Sequence, residues 1–193
     1  LRNFADKTNI DTSKRLLIID IHEMGEQLRA VGLQIVLEFV WQRVVDNKKK
    51  GIRTWLWCDE FSMMFNDEEG QSGKFFMKVF SRIRKYGGVA TGITQNIKEV
   101  LASREASSML SNAKFKILLP QDNENLEKIS EMFRLSPSQE AYLNTEEKGT
   151  GLIICGSKII PFDKRIADSG RVYEIISTNF KEYQKKHRER ENE

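Results

Sequence analysis

Between Thr54 and Phe65 the chain reads TWLWCDEFSMMF, in which four apolar residues, Trp55 to Cys58, stop abruptly at two adjacent acids, Asp59 and Glu60. A short, unbroken apolar run of this kind predicts a strand buried on both faces of a parallel sheet. Carboxylates are costly to bury, so the two acids should lie where the strand leaves the sheet at its carboxyl end. In open α/β sheets that edge is also where ligands bind.

The segments around this strand fit such a sheet. Arg15–Ile21 predicts a buried strand with Asp20 near its end, and Gly25 marks a break. A helix from about Glu26 to Val45 carries Gln34, Glu38 and Gln42 at intervals of four, one narrow polar stripe, which predicts a largely buried helix. Asn66–Gly73 reads as a loop. Lys74–Lys85 then places Phe75, Phe76, Val79, Phe80 and Ile83 on one helical face and Lys74, Lys78, Arg82 and Lys85 on the other. Tyr86-Gly87-Gly88 stops that helix, and Val89–Ile93 follows as a strand.

Helices are predicted near Ile97–Ala102, Glu105–Asn112, Asn123–Phe133 and Ser138–Asn144, with a strand at Lys114–Leu119. Gly151–Cys155 and Lys158–Phe162 form a hairpin across Gly156-Ser157, and Pro161 assigns its second strand to an edge. Alternation of strand and helix over the first 120 or so residues implies an α/β fold of three layers around a mostly parallel sheet, made mixed by the terminal hairpin. The whole of 1–193 reads as a single domain, with a polar lead-in over 1–12 and a charged tail that frays over 184–193.

Composition excludes several classes. With 39% hydrophobic and 31% charged residues, the chain suits a soluble α/β domain. No apolar run approaches the roughly 20 residues of a membrane span. Beginning with Leu1 and carrying no signal peptide, it reads as part of something longer. Cys58 and Cys155 lack the spacing of a disulfide framework or zinc site, which points to a reducing compartment. His22 and His187 are isolated, which argues against a histidine-based metal site. A net charge of +3 does not by itself indicate nucleic acid.

The chemistry gathers at strand ends. Asp59-Glu60 has the form of a Walker B strand end, in which Asp59 would hold the Mg²⁺ of a bound nucleoside triphosphate and Glu60 would polarise the attacking water. A plainer reading is that acids favour the start of a following helix. Gln95, at the end of the next strand, has an amide suited to orienting a water near a γ-phosphate, or else it caps the helix after it. Asp20 could face the same crevice. Arg82, Arg84 and Lys85 crowd a helix end, where the dipole already favours cations. Arg84, off the basic stripe, is the candidate arginine finger for a neighbouring subunit, with Arg82 as the alternative. No G-x-x-x-x-G-K-[ST] phosphate loop occurs, and Gly70–Lys74 (GQSGK) lacks both the strand before it and the hydroxyl after it.

TWLWCDEFSMMF, RKYGGVATGITQN (84–96) and SNAKFKILLPQ (111–121) together resemble the VirB4/TraC family of conjugation and type IV secretion ATPases, RecA-like motors related to the HerA and FtsK group. The resemblance runs from the Leu16 strand through the hairpin. It implies the C-terminal part of a RecA-like motor domain, with Asp59 and Glu60 as the Walker B acids, Gln95 as the glutamine of the following motif and Arg84 at the arginine-finger position. It implies ATP and Mg²⁺ as cofactors, absent or weakly bound without the phosphate loop, so that this portion alone would be inactive. It also implies a homo-oligomer, a hexamer in the full-length protein, working with secretion-channel and coupling proteins and with DNA. The place would be the cytoplasm, peripheral to the inner face of the bacterial membrane. An FtsK/HerA-like DNA translocase shares these motifs. A nucleotide-free interaction domain of a secretion complex is the reading from another class.

Overall fold

The computed structural model describes residues 14–21, 25–65, 71–146, 149–165 and 170–176. The expected lead-in over 1–12 and tail over 184–193 lie outside them. The chain groups into two compact units, Leu1–Ser111 and Asn112–Glu193.

In the first unit, helix α1 (Glu26–Lys49) leads into strand β1 (Thr54–Cys58), a 3₁₀ turn (Phe61–Phe65), helix α2 (Gln71–Arg82), a second 3₁₀ turn (Ile83–Tyr86) and strand β2 (Gly88–Gly92). Helices α3 (Ile97–Ala102) and α4 (Arg104–Asn112) follow. β1 and β2 pair in parallel from Thr54 opposite Gly88 to Cys58 opposite Gly92. Helix α2 already holds Gln71–Gly73, three residues before its periodicity predicts, and residues 66–70 of the expected loop lie outside the described residues. It gives way to 3₁₀ geometry after Arg82, and Gly87, at φ +71°, closes the turn by donating its N–H to the Arg84 carbonyl.

The core lies on one side of this parallel pair. Leu33 and Leu37 of α1, Cys58, Phe61, Phe76 and Met109 form one buried cluster, with Leu56 and Phe75 against it. Val44, Val79 and Ile83 form a second, flanked by Trp41, Tyr86 and Ala90. Alternate residues point the other way. Trp55 and Trp57 stack on each other with ring centroids 5.2 Å apart, remain 61% and 59% exposed, and Trp55 Nε1 donates to Thr91 Oγ1 at 3.0 Å.

Three expectations change here. β1 is covered on one face among the described residues, where its apolar run predicts two. The stretch 15–21 pairs with no strand among them, so Leu16 and Ile18 stay exposed for want of a ladder, while Ile21 packs against the core. α1 is likewise covered on one side, since Val31 and Ile35 are exposed beside Gln34, Glu38 and Gln42. Runs of apolar residues report how much surface a segment can bury; which faces become covered depends on what is packed there.

In the second unit, strand β3 (Phe115–Leu118) is followed by helix α5 (Asn123–Phe133), one helical turn α6 (Pro137–Glu140), strands β4 (Thr150–Cys155) and β5 (Lys158–Asp163), and helix α7 (Arg171–Ile176). β4 and β5 form the expected hairpin across Gly156-Ser157, with Pro161 on the edge strand. β3 extends this sheet antiparallel to β4, Phe115 opposite Cys155, rather than continuing the parallel one. Asp122 caps α5 by accepting the Asn125 N–H at 2.8 Å. The helix expected over 138–144 is only the short α6, after which the chain turns to bury Leu143. Among the described residues no helix is long and apolar enough to cross a membrane.

Candidate active site

Past Cys58 and Gly92 the two parallel strands leave the ladder but remain joined through a single residue. The Ile93 N–H donates to the Cys58 carbonyl at 2.8 Å, and the Phe61 N–H donates to the Ile93 carbonyl at 2.7 Å. Asp59 and Glu60 are the two residues looped out between these bonds. Within the loop the Glu60 N–H donates to Asp59 Oδ1 at 3.0 Å, and Glu60 takes the left-handed backbone conformation, φ +46°. A residue with a side chain adopts that region at a cost of about 1–3 kcal/mol and holds it only where its surroundings impose it.

What imposes it is the packing of the next residue. Phe61 is buried with its ring 4.9 Å from Phe65, 5.4 Å from Phe76 and 5.3 Å from Phe80, measured between centroids. Each such aromatic pair adds about 0.5–1.5 kcal/mol beyond its buried area. The same ring lies over Gly92, where a Cβ would come within 2.9 Å of it. Gly92 therefore lets Phe61 close against the end of β2, and the two bonds to Ile93 can form on either side of the acids. Phe61, Gly92 and Ile93 are not among the candidate residues that the sequence offers. The available signal was the glycine near a strand end, which marks close approach by another group.

Both acids are exposed, and among the described residues neither forms an ion pair. Gln95 is brought to them across 35 residues of sequence: its Nε2 donates to Glu60 Oε1 at 3.0 Å. The alternative role for Gln95 as a helix cap is not what the structure holds, because Asn96 caps α3, its Oδ1 accepting from the Glu99 N–H and its Nδ2 donating to Glu99 Oε1. Nor does a long helix follow the acids. Only a five-residue 3₁₀ turn does, which weakens the plainer account of them as residues placed by a helix dipole.

The other candidates lie apart. Arg84 is exposed in the 3₁₀ turn before β2, at the opposite end of that strand from Gln95, and Arg82 ends α2 just ahead of it. The four steps from Gly88 to Gly92 span about 13 Å of strand. Asp20 is exposed on a stretch outside the ladder, so it does not end a third parallel strand. Cys58, directly before the acids, is buried, and desolvation pushes its thiol up to about 12, which keeps it protonated and unreactive at neutral pH. Among the described residues no group of three or more His, Cys, Asp or Glu could hold a metal ion. A single aspartate is nevertheless enough for Mg²⁺ that arrives with phosphates and keeps several of its waters.

Known proteins share this fold. The profile of the TraG P-loop domain matches residues 4–150. The structure of VirB4 from Thermoanaerobacter pseudethanolicus superposes with a TM-score of 0.66 at 30% identity, over 77% of this chain and 40% of the VirB4 chain. The α/β architecture is thus that of a RecA-like ATPase fold, and the chain spans about two fifths of that relative. No protein of curated function matches.

Proposed function

Since the chain belongs to the TraG P-loop domain family, we propose that it is the acid-bearing part of an ATP-hydrolysing motor of a conjugative, type IV secretion apparatus. The observation that carries this reading is the turn at Asp59-Glu60: two exposed carboxylates, free of ion pairs among the described residues, at the carboxyl end of a parallel strand pair and beside Gln95.

Asp59 uses Oδ1 to hold the Glu60 N–H, and its other oxygen would hold Mg²⁺ brought by the nucleotide. Glu60 accepts from Gln95 through Oε1 and takes up a proton from the attacking water, a general-base role worth about 10²–10⁴-fold. Gln95 reports on the γ-phosphate. Mg²⁺, when bound with ATP, supplies the charge that neutralises the phosphate oxygens. The phosphate-binding loop is not among the 193 residues, so these residues act on a nucleotide held by a loop outside them. Arg84, at the far end of β2, acts on the site of a neighbouring subunit, in keeping with a homo-oligomer, hexameric in its full-length form. Secretion-channel and coupling proteins, and DNA, are the proposed partners, at the inner face of the bacterial membrane.

Steady-state hydrolysis by a protein carrying both the phosphate loop and this chain tests the assignment. Glu60→Gln is expected to abolish most turnover, and unchanged turnover would sink the reading. Arg84→Ala should lower turnover only where subunits assemble. Full activity of that assembled variant would remove the arginine from the mechanism and leave the acids in it.

A further inference from the structure

Two separate devices act on Glu60, and only one of them concerns its backbone. The bonds from Ile93 and the packing of Phe61 fix the main chain at φ +46°. Three rotatable bonds still lie between that main chain and the carboxylate, and the side chain is exposed, so a fixed backbone alone does not aim it. The bond from Gln95 Nε2 to Glu60 Oε1 supplies the missing constraint. Gln95 can do this because its own neighbours are tied. Ile93 is bonded on both sides of the acid turn, and the Asn96 N–H donates to Thr94 Oγ1 at 3.2 Å while Asn96 caps α3. The choice of group matters too. A lysine or arginine at this position would pair with the carboxylate and occupy its charge, whereas a neutral amide orients one oxygen and leaves the other, and the negative charge, available.

We propose that Gln95 is a positioning residue for Glu60, aiming the carboxylate through this bond, so that part of what Gln95 contributes to turnover passes through Glu60. The proposal rests on the reading of Glu60 as the acid that takes a proton from water. It differs from a role confined to contacting the γ-phosphate, which would leave Glu60 and Gln95 independent of each other.

Nuclear magnetic resonance of the isotope-labelled 193-residue chain tests the bond without nucleotide or turnover. In Glu60→Ala the Gln95 carboxamide resonances should shift and their protons exchange about two- to fivefold faster. The Ile93 and Phe61 N–H resonances should hold, showing the turn intact. Gln95→Ala reads the bond from the other side, through movement of the Glu60 carboxyl carbon resonance, should Glu60→Ala disturb the turn. A Gln95 carboxamide indifferent to Glu60, with the turn intact, would overturn the proposal. In the hydrolysing protein, Gln95→Ala should lower kcat with KM little changed and add almost nothing in a Glu60→Gln background. Full additivity of the two substitutions would equally defeat the positioning role. If Glu60→Gln left hydrolysis untouched, the water-activating reading would fall while the resonance result still stood, so the two failures are distinguishable.

Discussion

Two strands in this chain run out into acids, and they are held in opposite ways. β5 ends in Asp163, which Arg165 grips through Nε at 2.9 Å and Nη2 at 2.6 Å, only two residues away. β1 ends in Asp59 and Glu60, which have no cation among the described residues and are held by groups far along the chain: Ile93, Gln95 and the aromatic cluster around Phe61. An acid answered by a local cation is a stabilised loop. Acids left uncompensated, with the backbone around them fixed from outside, keep their charge open to a cation from elsewhere, as the proposed metal role requires.

The widest separation of the two should appear in turnover. Glu60→Gln in the hydrolysing protein is expected to lower kcat at least about a hundredfold, with stability unchanged to within about 0.5 kcal/mol because the side chain is exposed. Asp163→Asn in the same assay should leave kcat alone, and a comparable loss from it would erase the distinction. Next comes the support beneath the acid turn. Phe76 is 1% exposed and meets the Phe61 ring edge to face, so Phe76→Ala should destabilise the first unit by about 3–5 kcal/mol in denaturant titration.

A smaller step is Gly92→Ala. Its methyl group would press on Phe61, costing about 1–3 kcal/mol and shifting the Phe61 and Ile93 amide resonances, and a neutral result would mean the ring has room to withdraw. Smallest is the acid response of Asp163. The hydrogen bonds and charge of Arg165 hold its carboxyl below the usual range. Its contribution is therefore present above the unfolded value near pH 4 and is lost as pH falls through the lower folded one. Asp163→Asn should thus be slightly less stable than the parent at neutral pH, the gap closing on acidification and shrinking with added salt.

What could be read in the sequence follows the range of the interaction involved. Signals confined to a few neighbours were legible: the Gly156-Ser157 hairpin, the stop at Gly87, the start of α5 after Asp122, and the acids beyond Cys58. The family resemblance agrees with the profile and the VirB4 structure. Pairing partners were not legible, because β3 and the stretch 15–21 are both apolar and nothing in either says which strand, if any, lies beside it. The same holds inside the site. Gln95 stood out as a residue type, but its bond to Glu60 depends on a parallel register. The left-handed turn at Glu60 depends on a ring packed against three other aromatic side chains. No pattern near residue 60 announces either.

The stacked tryptophans on β1 have a practical side. All three tryptophans of the chain, Trp41, Trp55 and Trp57, belong to the first unit, and none follows residue 57. Tryptophan emission will therefore watch the strand that carries the acids, through two indoles bathed in solvent and one half-buried against Tyr86, while the hairpin sheet contributes no indole. A melting curve followed by that emission and one followed by far-ultraviolet ellipticity would weigh the two halves of the molecule differently, with no label introduced.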